Sequence, residues 1–229
     1  FLSLSNQRLK DQTSKRLKFD IMAIEIIERI LNLHLEFDVY NSELFILNNI
    51  LKNVKFLIRK NIITDIGIAS ETLIQGEYKI LKPYLKDAIV LDIGAYIGDS
   101  SIKFILDGAK KVYAFEPHPE LYNLALKNID LNNLGSKIIL KNAGVSNKET
   151  NLIIKEDSYL GASSFFGLTN YQRCKKVELK LLSFDSIVYG IGYISVMKMD
   201  CEGAEFPVIL SCPPETLKKI KIMLIEFHD

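Results

Sequence analysis

Asp92, Gly94, Ala95 and Gly98 stand in the run AIVLDIGAYIGDSS, where a buried-strand pattern gives way to a glycine turn and then to a helix start. Glycines there let the backbone approach a ligand closely, and the N-terminus of the following helix can face it. The next apolar run, 111 to 116, ends on Glu116 before Pro117. A carboxylate at the end of a second parallel strand is placed to accept both hydroxyl protons of a ribose. Turn and acid together point to a nucleoside-containing cofactor. They do not make the dinucleotide pattern G-x-G-x-x-G, because Tyr96 and Asp99 stand where glycines are needed, and Asp99 would repel a pyrophosphate.

A cofactor without phosphate and with a positive centre suits Asp92 and Asp99, and S-adenosylmethionine with its sulfonium is such a molecule. In these residues the sequence resembles the class I, Rossmann-like methyltransferases. The resemblance assigns cofactor contact to Asp92, Gly94, Ala95, Tyr96, Gly98, Asp99, Glu116 and Pro117, and to Asn142 and Ala143 at the end of the third strand. The blander reading, in which the glycines merely form a tight turn, leaves Glu116 and its spacing without an account.

Further charge gathers at later strand ends. The segment ISVMKMDCEGAE delivers Lys198, Asp200, Glu202 and Glu205, and the last strand delivers Glu226, His228 and Asp229. Residues i and i+2 share one face of a strand, so Asp200 with Glu202 and Glu226 with His228 converge if these strands are neighbours. Methyl transfer to oxygen needs aligned reactants and a group that removes the hydroxyl proton. Asp200 or His228 is the expected base, with Glu202 orienting one of them or binding acceptor hydroxyls. Asp200 and Glu202 could instead cap the following helix, and the two roles are compatible. Asp200, Glu202, Glu226 and His228 would suit magnesium or manganese, yet no tight ligand motif is present and no metal is expected. His118 reads as exposed at a helix entrance near the ribose, and His34 as surface or hairpin packing.

In this order, D-I-G-A-x-x-G-D, F-E-P-x-P-x-x-Y, K-x-D-x-E-G-A-E and I-E-x-H resemble the FkbM-type methyltransferases over residues 76 to 229. The resemblance implies S-adenosylmethionine-dependent O-methylation, commonly of hydroxyls on sugars or secondary metabolites. The loop Gly161, Ala162, Ser163 and Ser164 and the later Ser183-Phe184-Asp185 echo the family, which usually carries Thr-Leu-Asp at the latter. Tyr96 replaces a small polar residue. The class I sheet continues to a sixth and seventh strand, whereas this sequence stops after a fifth. Residues beyond it or another chain would cover that apolar edge. Position 1 is Phe rather than Met, which reads as a piece of a longer protein.

The elements that must position these residues are legible from Gly76 onward, where short Val- and Ile-rich runs alternate with helical patterns as in a parallel α/β sheet. Strands are predicted at 88 to 93, 111 to 116, 137 to 142, 194 to 200 and 221 to 227. Helices are predicted at 98 to 107, 118 to 131 and 204 to 218, the last broken at Pro213 and Pro214. Within 150 to 182, LIIKE and VELKLL are strand candidates around GASSFFGLTN, a loop at the mouth of a site. Residues 1 to 75 read as a helical region. Ser14 to Glu36 has the spacing of an amphipathic helix, and Leu44, Leu47, Leu51, Val54 and Ile58 that of a second after Ser42, the two pairing as a hairpin. The same seam could pair two copies of the chain. Lys52, Lys55, Arg59 and Lys60 read as its solvated face.

Of 229 residues, 29 are Lys or Arg and 28 Asp or Glu, a balance that disfavours a nucleic-acid binder. No apolar run is long enough for a membrane helix. Three cysteines without paired spacing, Cys174, Cys201 and Cys212, fit a reducing, cytoplasmic setting. With nucleic acid disfavoured, the FkbM resemblance implies a small hydroxylated acceptor such as a sugar. The segment around EPHPELYNLALKN also resembles transfer-RNA methyltransferases, and a non-catalytic binding or assembly protein is the rival from another class.

Overall fold

The computed structural model describes residues 35–41, 44–49, 53–59, 62–72, 76–157 and 174–228. The chain divides into two compact units, Phe1–Gly76 and Glu77–Asp229. In the first, β1 (Leu35–Val39), β2 (Leu44–Asn49) and β3 (Val54–Arg59) form an antiparallel sheet in sequence order, followed by helix α1 (Ile63–Ser70). This corrects the predicted second helix. Leucine spacing of three and four suited a helix, but Phe45 lies opposite Ile58 and Leu47 opposite Phe56 in register. Such β-branched and aromatic cross-strand pairs favour a sheet, and Asn53, at φ 50, makes the turn before β3. Of the first predicted helix, Leu35 and Glu36 belong to β1, and its earlier residues, His34 included, lie outside the described residues.

Arg59 is not simply a solvated cation. Its backbone N–H, Nε and Nη2 donate to the carboxylate of the fully buried Asp65 at 2.9, 3.0 and 2.7 Å. This fork ties β3 to α1. Asp65→Ala would remove three hydrogen bonds to Arg59 and is expected to destabilise this unit by about 2 kcal/mol. Hydrogen exchange should show faster β2 and β3 amides, with the strands after residue 77 unchanged.

The second unit opens with a 3-10 helix, Glu77–Tyr84, and alternates thereafter. Strand β4 (Ile89–Ile93) leads into α2 (Asp99–Leu106), β5 (Lys111–Phe115) into α3 (Pro119–Leu131), and β6 (Ile138–Lys141) follows. Short β7 (Gly144–Ser146), β8 (Thr150–Asp157) and β9 (Cys174–Ser183) make a separate sheet of order β7-β9-β8. Next come α4 (Phe184–Ile191), β10 (Ile194–Met199), α5 (Glu205–Ser211), α6 (Pro214–Leu217) and β11 (Ile220–Ile225). The main sheet runs β11-β10-β4-β5-β6 with every pairing parallel. It is the predicted Rossmann-like α/β sheet, with the predicted break at the paired prolines.

Strand order reverses between β4 and β10, which opens the crevice where ligands of such sheets sit. Side-chain alternation sorts the two faces there. Leu91, Ile93, Met197 and Met199 join Phe184 and Val188 of α4 and Val208 of α5 in one core cluster. The opposite face receives Asp92 and Lys198, which lie side by side in register. The Ser183-Phe184-Asp185 segment serves this packing. Phe184 is buried in the core, and the Thr216 hydroxyl donates to the Asp185 carboxylate, joining α4 to α6. The loop 161 to 164 lies outside the described residues.

Candidate active site

The glycine turn after β4 is held by its neighbours on both sides. The N–H groups of Gly94 and Ala95 both donate to the Phe115 carbonyl at 3.0 Å, and Asp200 N–H donates to the Ile93 carbonyl at 3.1 Å. Gly94, Tyr96 and Gly98 have φ of 81°, 48° and 86°, so three residues of one turn are left-handed. Tyr96, where a small polar residue was the expected form, keeps the turn and presents its N–H to the Glu116 Oε2 at 2.9 Å. The other Glu116 oxygen accepts from His118 N–H at 2.8 Å. Glu116 is thereby aimed across the turn with a lone pair still available on each oxygen. Burial pushes its carboxyl up to about 7, against the two N–H donors that favour the ionised form.

His118, expected to be exposed, is buried. The bond from its own N–H to Glu116 folds the chain inward ahead of α3. Pro117 is half-buried. Asn142 donates through Nδ2 to the carbonyls of Glu116 and Pro117, both at 3.0 Å, so its amide nitrogen ties β6 to the exit of β5. Ala143 is buried beside it.

Asp92 is fully buried. Its Oδ2 accepts from the hydroxyls of Ser100 and Ser101 at 2.7 and 2.5 Å, while Oδ1 has no hydrogen-bond partner. Burial pushes this carboxyl above the usual range, opposed by Lys198 and the two hydroxyls. Lys198 Nζ donates to the Gly94 carbonyl at 2.7 Å and lies 3.4 Å from Asp200 and 3.9 Å from Asp92. Burial disfavours its charge, but Asp92, Asp200 and Asp99 outweigh that and hold the ammonium protonated. Asp99 is buried at the first position of α2.

Across the crevice the predicted convergence of the last two motifs is present. His228 Nε2 faces Asp200 at 3.7 Å, Glu226 at 3.7 Å and Glu202 at 3.9 Å, and its Nδ1 lies 3.4 Å from Glu205. Glu202 adopts φ 58 and is half exposed. Burial disfavours a charged imidazole, yet Glu202, Glu205 and Asp200 together raise His228 above its ordinary value. Ligand atoms of Asp200, Glu202 and His228 lie within 4.8 Å of one another, a spacing that could hold a divalent cation. Asp229 lies outside the described residues.

Four residues of the candidate site escaped assignment from sequence. Lys198 and Glu205 were visible only as charges at a strand end, and Ser100 with Ser101 only as a helix start. Glu205 is fully buried and accepts from the N–H groups of Cys201 and Gly203 at 2.7 and 3.0 Å. Burial works against its ionisation, but the backbone N–H groups of Cys201 and of Glu205 itself, the Cys201 thiol and His228 bring its carboxyl below the usual value. The only sequence signal was a lysine alternating with methionines inside an otherwise apolar strand, which demands a buried counter-charge.

Among the described residues no helix is long and apolar enough to cross a membrane. No curated protein matches the chain in sequence. Among solved structures it is similar to a methyltransferase FkbM from Methylobacillus flagellatus KT, at 17% identity over 60% of this chain and TM-score 0.42. It is also similar to a SAM-dependent methyltransferase from Agrobacterium tumefaciens, at 13% identity over 71% of this chain and TM-score 0.40. A third is a precorrin 8W decarboxylase from Methanobacterium thermoautotrophicum, at 13% identity over 66% and TM-score 0.39. The chain spans 32%, 41% and 61% of these three in turn. Residues 92–229 match the model of the methyltransferase FkbM domain, and that segment, more than half of the sequence, makes this chain a member of the FkbM methyltransferase family.

Proposed function

We propose that this protein is an S-adenosylmethionine-dependent methyltransferase acting on a hydroxyl of a small acceptor such as a sugar. The observation that carries the reading is Glu116, buried at the end of β5 and fixed by two backbone N–H groups, Tyr96 of the glycine turn on one oxygen and His118 on the other. The donor set fits this cofactor. A buried carboxylate suits ribose hydroxyls, Asp92 Oδ1, which accepts no hydrogen bond and has only the Lys198 ammonium 3.9 Å away, suits a further polar group, and Asp99 at the helix start disfavours phosphate. When bound, S-adenosylmethionine supplies an electrophilic methyl group.

The chain's own residues then have separable tasks. Glu116 binds the ribose, Gly94 and Ala95 let backbone approach, and Asp92 with Asp99 favours positive charge. Asp200 or His228 takes the acceptor proton, and Glu202 contacts acceptor hydroxyls from its half-exposed position. Glu205 orients the His228 ring through Nδ1, a role first assigned to Glu202.

Calorimetry with S-adenosylmethionine and S-adenosylhomocysteine tests the reading, with NAD as control. Micromolar binding is expected, weakened about a hundredfold in Glu116→Ala through loss of two charge-assisted hydrogen bonds. The ribose hydroxyls need the ionised carboxylate. Affinity should therefore rise from pH 6 to pH 8, with a midpoint near the Glu116 value of about 7 that disappears in the variant. Absence of binding, or preference for NAD, would refute the reading.

A further inference from the structure

Lys198 is a buried cation placed where a cation is expected to bind. It sits in register beside Asp92 on the face of the sheet that meets α2, with Nζ on the Gly94 carbonyl and 3.4 Å from Asp200. Its neighbours are the carboxylates that would attract a sulfonium. Such carboxylates alone would favour the charged methyl donor over its neutral product and over the transition state, in which that charge is disappearing. Only interactions stronger in the transition state accelerate the reaction.

We propose that Lys198 sets the charge of the cofactor pocket, offsetting Asp92 and Asp200 so that loss of positive charge at the cofactor's sulfur is not opposed. This rests on the cofactor reading above. As the acceptor oxygen forms its bond to the methyl carbon, the carbon–sulfur bond breaks and its electron pair stays on sulfur, which becomes neutral. The acceptor's proton goes to the base. Lys198 is assigned no bond to the methyl group, the sulfur or the acceptor oxygen in this step; it acts through the carboxylates beside it and is a positioning residue. By holding the Gly94 carbonyl it also keeps that acceptor from a cationic ligand.

The test exploits two ligands that share adenosine and amino-acid parts and differ in the sulfonium. Affinities for S-adenosylmethionine and S-adenosylhomocysteine are measured by calorimetry on the whole chain. Lys198→Met should raise the preference for the sulfonium about tenfold, the scale of one charge acting over several ångströms in a partly buried site. Lys198→Arg should stay within threefold of the parent, and Asp92→Asn should lower the preference. Because Lys198→Met leaves buried carboxylates uncompensated and could fail to fold, the double variant Asp92→Asn/Lys198→Met removes both charges together. It should return to the parental ratio. A Lys198→Met ratio within twofold of the parent, or a double variant indistinguishable from Asp92→Asn, would overturn the inference while leaving the cofactor reading standing. Failure of the parent to bind either ligand would remove that reading and this inference with it.

Discussion

Gly94→Ala is expected to unfold the second unit at physiological temperature. An added Cβ would lie 1.8 Å from the Asp200 carbonyl oxygen and 2.9 Å from its carbonyl carbon. Both are backbone atoms, so no side chain can swing away. Nor can the strands part cheaply, because Asp200 N–H is bonded to the Ile93 carbonyl and Lys198 to the Gly94 carbonyl. The left-handed φ of 81° adds about 1 kcal/mol for any residue with a Cβ. The total should exceed about 4 kcal/mol, a large part of the ~5–15 kcal/mol that holds a domain together. Gly190 is the matched control. It lies inside α4 with nothing within 4 Å of an added Cβ, and alanine there should be neutral or stabilise by up to about 1 kcal/mol. Denaturant melts followed by circular dichroism decide the matter, and a Gly94→Ala midpoint close to that of the parent would contradict the packing described.

The parallel sheet was legible because β4 and β10, at its centre, are buried on both faces, which leaves short unbroken apolar runs. The glycine turn was legible because Gly94 combines a left-handed φ with the nearness of the Asp200 backbone, a pairing that only glycine tolerates. The N-terminal strands were not. Leu44, Leu47, Leu51, Val54 and Ile58 satisfy a helical period by chance, while the deciding facts, the register of β2 on β3 and the turn at Asn53, are not visible in spacing. Helix α4 and the three-residue β7 were also missed, since FDSIVYGI is as apolar as a strand and as short. In the site, the acids announced themselves by type, but their partners did not. The contact of Glu205 with two N–H groups depends on the turn in which Glu202 and Gly203 have φ of 58° and 113°. His118, buried where exposure was expected, also makes a backbone bond to a side chain two residues earlier that spacing alone does not reveal.

On the proposed function, the largest loss of turnover should come from the group that removes the acceptor proton. Glu205 sits 3.4 Å from His228 Nδ1, which favours a proton there and turns Nε2 toward Asp200, Glu202 and Glu226. Burial opposes charge on the ring, but the surrounding carboxylates raise its proton affinity, so His228 is held more fully protonated near neutral pH than a free histidine. A protonated imidazole cannot act as base. If His228 takes the proton, turnover rises with pH as the imidazolium loses its proton, with its midpoint above the ordinary 6.5. His228→Ala should then lower turnover about a hundredfold and abolish that limb, within the usual range for general-base catalysis. Glu205→Gln removes one of the carboxylates and should move the limb to lower pH, an effect that a purely structural role would not give. Asp200→Asn should cost a similar factor through either role, as base or as partner of the ring. Transfer of labelled methyl to a hydroxylated acceptor, followed against pH, separates these cases. Near-parental turnover in both His228→Ala and Asp200→Asn would exclude this pair from the chemistry, and a limb that survives in His228→Ala but not in Asp200→Asn would assign the proton to the aspartate.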